Sequence, residues 1–342
     1  MPAVAPTGMI GAACGKVAAV RRWRRIGAYG LCRDGERVLL ARGSATARFP
    51  GVWQLPGGGV EHGEHPTAAV CREFVEETGL TVEVTGVRLV LADVVRLAGV
   101  EGPVAEHTDR IVYDVVPTGG TLCAEARGST DEVAWVTPAE LAGLTLMPFT
   151  AELLGRPAEP LPESTVPVTD VPVTDVPVTD GPVTGGSAPT EGAMRPAAVD
   201  RYQRFAAYGL ATDPAGRILL TRIATGFPGA GRWHLPGGGT DHGEQPVSAL
   251  LRELVEETGQ LGRVTGLLHV SHRHNTAEFG PEGRPLDWHG VRVIYRVEVD
   301  APTEAKVTEA AGGSTETAGW FSRAELAELP RTEVVDAALS RL

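Results

Sequence analysis

The chain has 342 residues, 43 acidic against 31 basic side chains and a formal net charge of −12. That length suits two ordinary domains, and that charge argues against broad binding to nucleic-acid polymers or anionic membranes. A small anionic nucleotide remains possible, provided a metal and a few arginines neutralise it locally. No apolar run is long enough to span a bilayer as a helix. The N-terminal stretch lacks the leading positive charge of a signal peptide. The four cysteines (Cys14, Cys32, Cys71, Cys123) include no C-x-x-C pair, so neither a zinc ribbon nor a redox motif is indicated. A reducing cytoplasm is the expected location.

In chain order, Arg21-Arg22-Trp23-Arg24-Arg25 is read as the start of a first strand rather than a basic patch, since Arg201-Tyr202-Gln203-Arg204-Phe205 stands in the same place in the second half. A strand around Tyr29–Leu31 leads through a turn at Asp34-Gly35 into a strand at Val38–Ala41. A loop then reaches Trp53-Gln54-Leu55 and the turn Gly57-Gly58-Gly59. A helix follows, with Pro66 in its first turn and Gly79 as a left-handed end. Strands are expected near Thr81–Val95 and Arg110–Val116, and a last one at Glu132–Val136 running into a helix that starts at Pro138.

The second half repeats this plan. RVLLAR at Arg37–Arg42 matches RILLTR at Arg217–Arg222, and GVWQLPGGG at Gly51–Gly59 matches GRWHLPGGG at Gly231–Gly239. His107 and Tyr113 match His289 and Tyr295, and GSTDEVAWVTPAEL at Gly128–Leu141 matches GSTETAGWFSRAEL at Gly313–Leu326. This predicts a duplicated domain, at residues 20–155 and 200–342. Between them, PVTD repeats place a proline every five residues, which forbids an interior strand. Residues 156–199 are expected to be an extended, disordered tether that lets the domains move independently or pair through a surface. Each unit reads as a mixed sheet with helices on its faces, an α+β fold of the α/β/α sandwich kind.

The most specific pattern is GGVEHGEHPTAAVCREFVEETGL from Gly58 to Leu80, matched by GGTDHGEQPVSALLRELVEETGQ from Gly238 to Gln260. Glu73, Glu76 and Glu77 stand at i, i+3 and i+4, which puts three carboxylates on one helical face. Like charges so placed repel and call for a cation, and oxygen ligands suit a hard divalent ion such as Mg2+ or Mn2+. Arg72, four residues before Glu76, can brace that face with an ion pair. A merely solvated acidic face would explain the charge but not the glycines, the arginine and Glu64 at fixed offsets. Gln260 departs from the pattern where the first copy has Leu80. That position is for packing, so a local shift without loss of chemistry is expected.

These segments resemble the Nudix box, G-x5-E-x7-R-E-U-x-E-E-x-G-U, where U is apolar. The resemblance implies a Nudix fold and metal-dependent hydrolysis of a nucleoside diphosphate linked to another moiety. It implies metal ligation by Glu73, Glu76 and Glu77 in the first unit and by Glu253, Glu256 and Glu257 in the second. The backbone of Gly57 or Gly237 joins them, and Glu64 and Glu244 stabilise the loop or bind a further metal. Arg72 and Arg252 belong to the catalytic box. The general base is either Glu73 (Glu253) or a later carboxylate such as Glu132, whose place in the second unit is taken by Thr317 with Glu316 beside it. Arg42 and Arg222, with Gly58 and Gly238, are candidate substrate contacts, the arginines because a guanidinium fork matches phosphate; a structural ion pair is the other reading of Arg42 and Arg222. Trp53 and Trp233 are read as core rather than as base-stacking platforms. His269, His272, His274 and His289 are read as substrate-pocket loop residues, as surface, or as an imidazole metal site.

The markers of ADP-ribose and dinucleoside-polyphosphate hydrolases after the box are missing. This favours (d)NTPs, oxidised ones included, with ADP-ribose or a nucleotide sugar as the alternative. A second alternative makes one domain a non-catalytic nucleotide sensor. The partner expected is a small nucleotide, with no nucleic-acid polymer and no membrane.

Overall fold

The computed structural model describes residues 20–100, 102–162, 164, 200–279, 285–308 and 313–342. The tether expected at 156–199 lies outside them from residue 165 onward. Strand β1 (Arg21–Asp34) turns at Gly35, whose φ of 59° suits glycine, into β2 (Arg37–Gly43). Short strands β3 (Trp53–Gln54) and β4 (Gly57–Gly59) precede helix α1 (Pro66–Thr78). Two long strands, β5 (Leu80–Gly99) and β6 (Gly102–Gly120), are followed by β7 (Thr130–Val136) and α2 (Pro148–Leu153). The sheet order is β3-β2-β1-β6-β5, with β4 on β1 and β7 on β2. Only the central β1–β6 pair is parallel.

The second half repeats the architecture with β8 (Asp200–Thr212), β9 (Ile218–Ile223), β10 (Trp233–His234), β11 (Gly237–Gly239), α3 (Pro246–Thr258), β12 (Arg263–Phe279), β13 (Pro285–Glu298), β14 (Thr315–Phe321), α4 (Arg323–Leu326) and α5 (Glu333–Leu339). Its sheet order is β10-β9-β8-β13-β12. The duplicated mixed-sheet α+β fold read from sequence is thus present.

Two local expectations are corrected. The strands after the box run well past Thr81–Val95 and Arg110–Val116, because β5 and β6 stay paired to Gly99 and Gly102. The helix expected at Pro138 is a single 3-10 turn, Glu140–Gly143, with Glu140 folded back onto the Thr137 hydroxyl and N–H. Beyond it Leu144 is extended and the chain pairs with Trp53, whose N–H donates to the Thr145 carbonyl at 2.9 Å and whose carbonyl accepts the Met147 N–H at 2.8 Å, so Leu146 and Met147 are buried from an extended segment rather than from a helix. The regular helix comes later, at Pro148.

The two domains do not stand apart. One buried apolar cluster contains Phe74, Val90 and Ile111 from the first domain with Leu254, Val270 and Val293 from the second. Around it the polar contacts come in matched pairs. Arg24 reaches the Thr240 carbonyl and hydroxyl, and Gln203, on the corresponding strand, donates to the Val60 carbonyl at 3.4 Å. The Ala92 N–H donates to Gln245 Oε1 at 2.9 Å, while the Gln245 amide donates back to the Ala92 carbonyl. Of the two arrangements open to tethered domains, this is the paired one. Val60 and Thr240, which differ between the copies, face this interface.

Candidate active site

Helix α1 is set by its ends. Pro66 occupies the first turn, the His65 ring accepts the Thr67 N–H at 3.1 Å, and Gly79 closes the helix at φ 69°. Only glycine adopts that conformation without strain. Ala69, Val70 and Phe74 are buried on one side, which turns the Arg72, Glu73 and Glu76 side toward the glycine turn.

There Arg72 organises the site. Its Nε and Nη2 donate to the two Glu64 oxygens, each at 3.0 Å. Nη1 bridges Glu73 Oε1 at 2.8 Å and Glu76 Oε2 at 3.1 Å, and Nη2 also reaches the Gly59 carbonyl at 2.9 Å. Arg252 repeats this on Glu244 (3.0 and 3.1 Å), Glu253 (2.9 Å), Glu256 (3.1 Å) and the Gly239 carbonyl (3.4 Å). Five contacts from one rigid fork fix loop and helix together.

Glu64 also accepts the Glu61 N–H at 3.0 Å. Burial opposes its ionised form, but Arg72 and that N–H hold it below the ordinary carboxylate range. Of the two roles expected for Glu64 and Glu244, these are the contacts of the loop-stabilising one.

Glu77 is the deep member of the set, 4% exposed. It accepts the Gly57 N–H at 2.9 Å and the Thr130 hydroxyl at 2.8 Å. Glu257 is held in the same way by the Gly237 N–H at 2.9 Å and the Thr315 hydroxyl. Burial pushes Glu77 up to about 7, against what these donors contribute. Glu73 is also raised, by burial first and then by the Glu76 charge, with Arg72 and Arg25 opposing. A carboxylate set this crowded with one bracing guanidinium is short of positive charge. Hard oxygen donors short of a cation are what Mg2+ or Mn2+ requires. Glu73, Glu76 and Glu77, with Glu253, Glu256 and Glu257, are the residues that could hold it.

The glycine turn lies against this face. A Cβ on Gly58 would stand 2.6 Å from Glu73 Oε1, and one on Gly238 would stand 2.8 Å from Glu253 Oε1. Arg25 and Arg204 lie alongside Gly59 and Gly239. Reading Arg21–Arg25 only as a strand start missed Arg25 as a neighbour of Glu73. The one available signal was that its arginine recurs at 204.

The more distant candidates are engaged elsewhere. Arg42 pairs with Asp131 at 2.8 Å and Glu132 at 2.5 Å, the structural ion pair weighed against phosphate binding. Arg222 is looser, 3.4 Å from the Gly231 carbonyl and 3.8 Å from Glu316. Opposite them in the strand register, Glu132 faces Arg42 where Thr317 faces Arg222. Trp53 is buried in the core, and Trp233 packs edge-on against Phe321 at 4.6 Å. Burial pushes the Cys71 thiol up, against a nucleophilic role. Gln260 is buried rather than shifted outward. Its amide meets the Thr258 carbonyl (3.1 Å) and Thr303 (2.9 Å), while Leu261 is 81% exposed and β12 starts only at Arg263.

A NUDIX domain model matches residues 21–156 and 202–341. A MutT-like protein of Streptomyces ambofaciens is 36% identical over 112 residues, covering 33% of this chain and 62% of the relative. Nucleoside triphosphatase NudI of Enterobacter sp. (strain 638) is 33% identical over 118 residues, covering 33% of this chain and 81% of the relative. Among solved structures, the MutT NUDIX hydrolase from Burkholderia pseudomallei is 30% identical and covers 41% of this chain and 98% of its own, with a TM-score of 0.33. The chain thus spans less than two thirds of the Streptomyces relative it matches. Two family matches, each laid over a complete arginine-braced carboxylate face, make this chain a tandem member of the NUDIX family.

Proposed function

We propose that both domains are divalent-metal-dependent hydrolases of a diphosphate bond in nucleoside-diphosphate-linked substrates, with (d)NTPs, oxidised ones among them, as the favoured class. The observation that carries this is the duplicated arginine-braced carboxylate face, repeated to within a few tenths of an ångström at four of the five arginine contacts. The missing ADP-ribose and dinucleotide markers and the nucleoside triphosphatase among the relatives support the substrate class.

In this reading Glu73, Glu76 and Glu77 (Glu253, Glu256 and Glu257) hold Mg2+ or Mn2+, which when bound neutralises phosphate charge and makes a water more acidic. The protein's own residues supply position. Arg72 locks Glu73 and Glu76 at fixed offsets, and Glu64 anchors Arg72. Gly58 and Gly59 let the backbone, and with it a phosphate, come close. Glu73 is the favoured base, taking the proton on the oxygen that Arg72 leaves open. Both domains carry it, whereas Glu132 is engaged by Arg42 and is Thr317 in the second domain.

Turnover of a panel of NTPs, oxidised dNTPs, ADP-ribose, dinucleotides and nucleotide sugars with Mg2+ or Mn2+, comparing wild type with Glu76→Gln and Glu256→Gln, tests the proposal. Each variant should lose the substrates of its own domain. No diphosphate cleavage of any substrate by the wild type would refute the enzyme reading. The Thr317 asymmetry favours one second reading, a second domain that binds nucleotide without cleaving it. In that case Glu256→Gln leaves all turnover unchanged but removes nucleotide binding.

A further inference from the structure

A band of imidazoles crosses the domain interface beside the first box. His62 lies on the loop before α1, His274 on β12 and Asp287 on β13, and their ligand atoms all lie within 4.8 Å of one another. His274 Nε2 is 2.6 Å and His62 Nε2 is 3.1 Å from the same oxygen, Asp287 Oδ1. His62 Nε2 is buried and nevertheless completes no hydrogen bond among the described residues. His289, fully buried, packs edge-on against His62 at 5.5 Å and His274 at 6.1 Å between ring centroids. Gln203 Nε2, 3.1 Å from His289 Nδ1, holds that ring, and His289 Nε2 has no hydrogen-bond partner among the described residues.

The duplication supplies an internal comparison. Val94 pairs with His107 across β5 and β6 as His274 pairs with His289 across β12 and β13. Ala105 stands two residues before His107 as Asp287 stands two before His289. His242 occupies the place of His62 and settles its Nε2 on the Ala105 carbonyl at 3.1 Å. There the buried imidazole is satisfied too, since His107 Nε2 is 3.1 Å from Asp109 Oδ1, where the other copy has Val291. The fold therefore does not demand three converging ligands; one interface end has them and its mate does not.

Two imidazole nitrogens and a carboxylate oxygen within 4.8 Å of one another are the donor set of a borderline divalent transition metal rather than of Mg2+. Bonds of about 2.0–2.2 Å to such an ion place its ligands roughly 3.3 Å apart. The His62–Asp287 pair (3.1 Å) already stands near that spacing, the His274–Asp287 pair (2.6 Å) needs to open by well under 1 Å, and the two imidazole nitrogens, within 4.8 Å, need to close by at most about 1.5 Å. His274 keeps a third of its side chain exposed, which leaves a route in. We infer that His62, His274 and Asp287 form a binding site for a zinc-class divalent metal that clamps the loop ahead of α1 to strands β12 and β13 of the second domain.

The test uses the full chain in excess Mg2+, so that the carboxylate faces are occupied, with zinc titrated against a chromophoric chelator. The wild type should retain a tight zinc equivalent that is lost in His274→Val/Asp287→Ala, whose side chains are those the fold already accommodates at Val94 and Ala105. His242→Ala should retain it. Zinc should raise the Tm of the wild type but not of the double variant, as a ligand bound only by the native state does. Equal zinc retention by wild type and double variant, no tight zinc in the wild type, or loss of zinc in His242→Ala overturns the proposal. None of these readouts depends on hydrolysis.

Discussion

Arg72 is the residue on which the first site turns, because one planar fork reaches Glu64, Glu73, Glu76 and the Gly59 carbonyl at once. Lysine keeps the charge but not the fork. Arg72→Lys should therefore lower first-domain kcat by roughly 10²-fold, the scale of a 1 Å misplacement, while Arg252→Lys does the same only to second-domain substrates. Unchanged turnover in both would show that the brace is structural alone. Gly58→Ala is a sharper probe, since its methyl would land 2.6 Å from Glu73 Oε1. It should weaken metal affinity of the first site, read by Mn2+ titration, with little change in Tm. Glu77 gives a pH signature. Burial raises it to about 7, against about 4.3 in the unfolded chain. For a raised acid the protonated form favours the fold, so this stability is full below the unfolded value and is lost as pH rises through about 7. Metal-free protein should thus lose Tm over that window, and Mg2+, which needs the carboxylate charged, should offset the loss. Parallel Tm curves with and without Mg2+ would contradict this.

At the scale of elements, the box helix was legible from sequence because its determinants are local: Pro66 at the start, Gly79 at φ 69° at the end, and carboxylates at helical spacing. The strands after it were read short because their far ends, past Val95 and before Arg110, owe their regularity to each other and to the second domain, where His242 and Gly243 meet Ala105 and His107. The turn at Glu140–Gly143 was read as a helix because Pro138-Ala139-Glu140-Leu141 is a sound start signal and carries no information about the pairing of the next residues with Trp53 that ends it. The junction after α3 shows the opposite case, a local departure with a tertiary answer. Buried Gln260 satisfies the Thr303 N–H at 2.9 Å through its carbonyl, and its amide finds three acceptors, the Thr258 and Glu304 carbonyls and the Thr303 hydroxyl. Gln260→Leu would restore the residue type of the first copy and yet leave that N–H without its partner. It should cost about 1–3 kcal/mol, measured by chemical denaturation. A neutral or stabilising result would show that the network contributes little.

At the scale of the molecule, the domains share a buried apolar cluster and matched polar contacts. Cleaving the chain between residues 165 and 199 should leave a one-to-one complex that co-elutes on gel filtration in about 0.15 M salt, where exposed ion pairs are largely screened but apolar burial is not. Separation into free domains would mean that the contacts persist only through the tether. What the sequence determined by itself was the duplication, because the two halves match segment for segment, and the mixed α+β fold and two carboxylate helices, because these are written in spacing within a few turns of chain. What only the tertiary structure decided was which partner each charge takes. It gave Arg42 to Asp131 and Glu132, Glu64 to Arg72, and His62 to residues more than 200 positions away. The first depends on which strands pair, the second on how a loop folds back onto its helix and the third on how two sheets pack, and no periodicity along the chain encodes them.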